Sequence, residues 1–258
     1  VIDVQQVTKK HGTIVSVNEV SFTAEPGAVT GLLGPNGAGK SSIMRIICDL
    51  DRADSGAVTV SGRRYREHPI PMRAVGAQFE GAGAHPSRTA IDHLRWVART
   101  NRLPKHRVTE VLEMVDLQPR DWKRRVKEYS LGMQQRLGIA TALLGDPDTV
   151  IFDEPANGLD PIGIQWLRSL LTGLARDGKT VLLSSHLMGE TEMIADRVVL
   201  MDKSRVIGTG EVANLAAEHG SLEQAFFARL NTSRNGTAGS GAADNGAAGT
   251  AGTEGAKP

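Results

Sequence analysis

The sequence has one cysteine, Cys48. That excludes an internal disulfide and any multi-cysteine metal site, and it fits a reducing cytosol. Cys48 itself reads as a small buried hydrophobe on the helix after Lys40. Long apolar runs are missing too: stretches such as 198–201 and 181–183 fall far below the roughly 18 residues that a membrane-spanning helix needs. The chain opens on VIDVQQV without a charged-then-apolar signal segment. It reads as soluble and not secreted, although without an initiating Met a leader could have been trimmed. An excess of one charge is absent, with 30 Lys and Arg against 29 Asp and Glu, net +1. Nothing in that balance calls for nucleic acid or a strongly acidic partner. Aromatics make up 4%, and Trp96, Trp122 and Trp166 are scattered. They form no base-stacking platform, so they are assigned to packing.

What is present is a globular composition, 40% apolar over 258 residues, enough for one large domain or two small ones. Residues 1–7, 17–22, 28–33 and 55–62 read as strands and 39–50 as a helix. Helical spacing dominates from 86 to 144, with segments at 90–100, 108–115 and 134–144. Strand signals resume at 149–152, 180–183 and 197–201, separated by helices at 162–175 and 187–195. Strands alternating with helices imply a parallel sheet covered on both faces, with 86–144 as an inserted helical subdomain. Residues 231–258 consist mainly of Gly, Ala, Thr, Ser and Asn and read as a disordered tail that cannot offset its ordering entropy by burial.

Residues 31–42, GLLGPNGAGKSS, concentrate four glycines between an apolar run and a lysine. Glycine weakens helices and strands unless the backbone itself has a task. The stretch Gly34, Pro35, Asn36, Gly37, Ala38, Gly39, Lys40, Ser41 fits the phosphate-loop (Walker A) pattern, lying between an expected strand and an expected helix. Its backbone N–H groups, with Ser42 closing the turn, would cradle phosphates at the positive end of the helix dipole. Lys40 would meet the β- and γ-phosphates of ATP, and the Ser41 hydroxyl would ligate Mg²⁺. Further on, the apolar run 150–152 ends in Asp153 and Glu154. Two carboxylates at a strand tip are costly unless a cation or a water meets them. Asp153 would hold the Mg²⁺ shell, and Glu154 would orient or deprotonate the water attacking the γ-phosphate.

The stretch YSLGMQQR, 129–136, resembles the LSGGQ signature of ABC-type ATPases, and NGLD, 157–160, resembles their D-loop. Ser184, Ser185 and His186 resemble the switch-histidine segment. Five motifs in family order cover about residues 1–230. The resemblance implies an α/β fold of the P-loop NTPase class: a mainly parallel sheet flanked by helices, an N-terminal antiparallel β subdomain and the inserted helical subdomain. It also implies head-to-tail dimers, as a homodimer or with another ABC ATPase. Ser130 and the N–H groups of Leu131 and Gly132 would then donate to the γ-phosphate on the other copy. His186 would contact that phosphate, and Asp160 would let the two sites communicate. Leu131 and Met133 replace the signature's first glycine and its glutamine. His11 stands where the family stacks an aromatic ring on adenine. Glu80 aligns best with the glutamine that links the γ-phosphate site to the membrane partner and would touch Mg²⁺ or water, although Gln78 lies two residues earlier.

These motifs imply an ATP-hydrolysing transporter subunit, cytoplasmic and peripheral on the inner membrane face, whose membrane-spanning half is a separate polypeptide. YSLGMQQRLGIA and SSHLMGE resemble the branch exporting antibiotics, peptides and other amphiphiles. The groove around residues 80–88 is the expected docking surface. The rival reading is a soluble ABC-type ATPase acting on ribosomes or DNA. A third is a nucleotide-gated regulator without turnover, which Glu154 and His186 disfavour. The basic residues Lys123, Arg124, Arg125 and Lys127, and Arg63, Arg64 and Arg66, read as solvated faces.

Overall fold

The computed structural model describes residues 1–79, 81 and 83–238. Three strands open the chain: β1 (Ile2–His11), β2 (Ile14–Ala24) and β3 (Val29–Leu33). There follow helix α1 (Lys40–Ile47), β4 (Ser55–Val60), the short α2 (Pro71–Ala74) and β5 (Val75–Gln78). Three helices come next, α3 (Ala90–Thr100), α4 (Arg107–Met114) and α5 (Leu131–Leu143), before β6 (Thr149–Phe152) and α6 (Pro161–Arg176). The remainder is β7 (Thr180–Ser185), α7 (Met188–Glu192), β8 (Arg197–Asp202), β9 (Arg205–Glu211), α8 (Val212–His219) and α9 (Leu222–Ala238).

The strands form two sheets. One is antiparallel, in the order β2-β1-β4, and the other has six strands in the order β5-β6-β7-β3-β8-β9. Neighbours in the larger sheet pair in parallel except β8 and β9. Its inner strands β3, β6 and β7 are buried on both faces, which is why they read as continuous apolar runs. Successive side chains alternate between faces: Val150, Phe152, Val181 and Leu183 join a core with the helices α3 to α6. Leu32, Ile151, Leu182 and Val199 join a second core with α1 and the antiparallel sheet. Within α1, Ile43, Met44, Ile46 and Ile47 are all buried, each worth about 1.5–3 kcal/mol relative to exposure. The helix is thereby clamped against the sheet.

Sequence and structure differ at several edges. Residues 231–238, expected in the disordered tail, continue α9 to Ala238: extending an existing helix is far easier than nucleating one, so weak helix formers are carried along. The rest of the expected tail, 239–258, lies outside the described residues. Trp96, assigned to packing, is 51% exposed, with the Arg88 guanidinium 4.5 Å from its ring centre. Arg124 and Arg66 are not simply solvated: they pair with Asp121 and Asp49, at 2.8 and 2.7 Å. Among the described residues, no helix is long and apolar enough to cross a membrane.

Candidate functional site

Three neighbouring parallel strands, β6, β7 and β3, end at one edge of the larger sheet. Their register pairs Phe152 with Leu183 and Leu33 with Ser185. Asp153 therefore comes level with Ser184, and the loop after Leu33 opens beside both. The carboxyl ends of parallel strands are where such sheets bind ligands.

The loop 34–39 has a shape that only glycine permits at two points. Gly39, the residue before α1, has φ +97°, and a Cβ on it would run into the Ser16 carbonyl of β2. A Cβ on Gly34 would overlap the Met201 carbonyl. The loop is thus pressed against β2 and β8 and leads directly into α1. Among the described residues no side chain caps α1, so its first N–H groups can meet an anion at the positive end of the helix. Pro35, Asn36, Gly37 and Ala38 complete the turn, and Ser41 and Ser42 lie in the first turn of α1.

Lys40 is 6% exposed, which a lysine tolerates only when its ammonium is well satisfied. Its Nζ donates to the carbonyls of Gly34 at 2.7 Å and Pro35 at 3.2 Å, and stands 3.6 Å from Glu154 Oε1. The other Glu154 oxygen lies 2.8 Å from His186 Nδ1. Ser184, fully buried, joins the two acidic residues: its hydroxyl donates to Asp153 Oδ1 at 2.5 Å and accepts the Glu154 N–H at 2.9 Å. Glu154 adopts φ +49°, a left-handed conformation costing a non-glycine residue about 1–2 kcal/mol. The Ser184 hydroxyl helps to hold it there. The arrangement brings one cation, two carboxylates, an imidazole and a row of free amides to one spot. It can grip a polyanion and hold a base beside it. Ser41 and Asp153 offer oxygen donors of the kind that a hard divalent cation takes.

Other expected residues lie elsewhere. Ser130 caps α5, its hydroxyl accepting the Met133 N–H at 3.3 Å, so α5 begins at Leu131, with Gly132 in its first turn. Asp160 caps α6, accepting the Gly163 N–H at 2.7 Å. His11 sits exposed at the tip of the β1–β2 hairpin, on the sheet that reaches the loop at Ser16. Gln78 is turned inward, 2% exposed, donating to Gln135 Oε1 at 2.6 Å. That contact commits its side chain to the interior, where the sequence left it open as a link to the γ-phosphate. Glu80 lies outside the described residues. Two sets of contacts escaped the sequence reading. Ser184 stood in the switch-histidine segment and Gln135 in the signature stretch, but nothing local showed that Ser184 would bond Asp153 and Glu154, or Gln135 the carbonyls of Glu154 and Asn157.

Comparison with known proteins places this geometry in a family. The "ABC transporter" family matches residues 17–157. The lantibiotic transport ATP-binding protein SrtF of Streptococcus pyogenes is 36% identical over 206 residues, which span 80% of this chain and 89% of that protein. The bacitracin transport ATP-binding protein BcrA of Enterococcus faecalis is 37% identical over 219 residues, 83% of this chain and 70% of that one. Among solved structures, the ATP-binding cassette MJ0796, as a dimer in a post-hydrolysis state with ADP and Pi, superposes with a TM-score of 0.75. It is 25% identical and covers 82% of this chain and 98% of its own. This chain therefore belongs to the ABC transporter family as an ATP-binding, ATP-hydrolysing subunit.

Proposed function

We propose that this subunit powers an exporter of antibiotics, peptides or other amphiphilic compounds. Its membrane-spanning half would be a separate polypeptide, and the chain would sit peripherally on the cytoplasmic face. The observation that carries this reading is the match to SrtF, a lantibiotic transport protein, over nearly that protein's whole length. BcrA, a bacitracin transport protein, supports it.

In this reading the free amides of the loop and of α1 hold the phosphates of ATP, with Lys40 shifting its donors from the Gly34 and Pro35 carbonyls to phosphate oxygens. Mg²⁺, held by Ser41 and Asp153, would neutralise charge between the β- and γ-phosphates. Glu154 orients or deprotonates the attacking water, and His186, already against its carboxylate, fixes that geometry. His11 lies near the adenine, and Glu80 serves the link to the membrane subunit.

Two copies close head to tail; that the cassette MJ0796 is dimeric supports such a pairing. Ser130 and the N–H groups of Leu131 and Gly132 then reach the γ-phosphate of the other copy, and Asp160 lies between the two sites. Loss of that phosphate loosens the pair, which converts hydrolysis into motion. The membrane subunit docks around residues 80–88, beside the exposed Trp96 stacked under Arg88.

The test is to purify the tagged chain from membranes of its own cell and identify what accompanies it. A protein with about six apolar spans is expected. Ribosomal proteins in its place would transfer the chain to soluble ATPases of the same family.

A further inference from the structure

We propose that Leu131 is a positioning residue for the turn at 157–160, and that it makes the start of α5 and the catalytic-side Glu154 move as one body. The inference rests on the ATPase activity of the site and gives the Leu131 side chain a role in it.

Leu131 is the first residue of α5 and is 57% exposed. A leucine this exposed contributes little to the core. Its side chain nonetheless has a socket. Gly158 has φ +78°, and a Cβ built on it would lie 3.2 Å from Leu131 Cβ and collide with Leu131 Cγ and Cδ2. The leucine thus occupies the space that a side chain at 158 would need. Gly132 presses on the same turn, since a Cβ there would lie 3.3 Å from the Gly158 carbonyl oxygen and 3.6 Å from Leu159 Cδ2.

One helical turn further, on the same face of α5, Gln135 holds the other end of the segment. Its Nε2 donates to the carbonyls of Asn157 at 3.2 Å and Glu154 at 3.4 Å. Gln135 is 6% exposed and is itself fixed by Gln78. Between these two points the segment is tight: the Asn157 N–H donates to the Glu154 carbonyl at 3.2 Å and the Leu159 N–H to the Ala156 carbonyl at 3.1 Å. A shift of the first turn of α5 is therefore passed through Gly158 and Asn157 to the backbone of Glu154. The Glu154 carboxylate faces Lys40 and His186. The Leu131 side chain bears on Glu154 through the turn, a role separate from that of its backbone N–H, which every substitution at 131 other than proline keeps.

The experiment compares wild type with L131A, L131M, G158A and the double variant L131A/G158A, all purified as the full chain. Alanine keeps α5 helical at its first position while removing the side chain beyond Cβ. Phosphate release at saturating Mg-ATP should fall about 10-fold in L131A and at least as far in G158A. The double variant should fall no further than the worse single one, because residues in contact couple rather than add. L131M should keep at least about half of the wild-type rate, since a flexible side chain of similar volume fills the same gap. ATP affinity of the isolated chain and the melting temperature should stay at wild-type values in L131A. Hydrogen exchange at the Asn157 and Leu159 amides should quicken about 10-fold while the buried amides of α5 stay unchanged.

Wild-type turnover in L131A would overturn the proposal. So would multiplicative losses in the double variant, failure of L131M to retain activity, or a loss explained by weaker ATP binding or lower melting temperature.

Discussion

Replacing Ser184 by Ala removes one hydroxyl that serves two acidic residues at once. The Ser184 oxygen is fully buried, 2.9 Å from the Glu154 nitrogen and 2.5 Å from Asp153 Oδ1. A buried donor left unpaired costs about 1–3 kcal/mol, and a hydrogen bond to a charged group is worth about 1.5–3 kcal/mol. Asp153 and Glu154 are each only partly buried, so water recovers some of that. A net loss of about 2–4 kcal/mol is expected, and with about 2–4 °C per kcal/mol for a domain of this size the melting temperature falls by roughly 4–16 °C. The effect on catalysis follows from φ +49° at Glu154. Without the hydroxyl that holds its N–H, the peptide can relax out of this costly conformation, and its carboxylate moves. Misplacement by about 1 Å typically costs about 10²-fold in rate. Phosphate release under saturating Mg-ATP should therefore fall about 100-fold, with ATP affinity changed less than about 3-fold because the loop amides and the Lys40 bonds to the Gly34 and Pro35 carbonyls do not involve Ser184. S184T, which keeps the hydroxyl, should retain most activity. An S184A protein that turns over at the wild-type rate would refute the argument that this hydroxyl positions Glu154.

Two further outcomes follow chiefly from burial. His93 is 3% exposed with neither ring nitrogen hydrogen-bonded among the described residues, and burial, aided by the charge of Arg88, holds its pKa below the usual 6.5. The unfolded chain then binds a proton that the native chain refuses, so stability falls as pH drops below about 6.5, by at most about 1.4 kcal/mol per pH unit. The carboxylates of Asp49 and Asp146, held low by Arg66 and Lys179, lose their contribution only at more acidic pH. Denaturant titrations at pH 7 and 5.5 should show this loss in wild type and a flatter dependence in H93L; equal slopes would remove His93 as the cause. Cys48 is buried, and that burial, with Asp49 adding to it and Arg45 opposing, pushes its thiol pKa up to about 12. Because the thiolate is the reactive form, alkylation at pH 8 should run at least about 100-fold slower in the native chain than in denaturant, and comparable rates would contradict its burial.

The motifs were legible because their chemistry constrains sequence locally. A loop that wraps phosphate needs glycines at fixed offsets, and Gly34, Gly39 and Lys40 stand at those offsets. Elements whose reason lies in tertiary packing were not legible. The strand Val75–Gln78 is only four residues long and contains Gly76, so it carried too little pattern; it forms because it pairs with β6. The strand Arg205–Glu211 holds two glycines and lies at the sheet edge, where half-exposed positions blur the apolar run. In α5 the reading began at residue 134, but the Ser130 cap starts the helix at Leu131. Those three added residues put Leu131 over Gly158. Gln135 shows the same limit: a glutamine on an apolar helix carries no sign that its amide will meet two carbonyls of a distant turn. Contacts across the fold are set by where elements pack, and one strand or helix cannot report them.

In the proposed function Lys40 and its loop hold ATP while Glu154 turns it over. The most direct measurement is phosphate release, together with retained nucleotide, for wild type, E154Q and K40A in Mg-ATP. E154Q should bind ATP as wild type does and release phosphate about 10² to 10⁴-fold more slowly, the scale of losing a general base, and K40A should lose nucleotide binding itself. Wild-type turnover by E154Q, or undiminished binding by K40A, would contradict the assignment of the site.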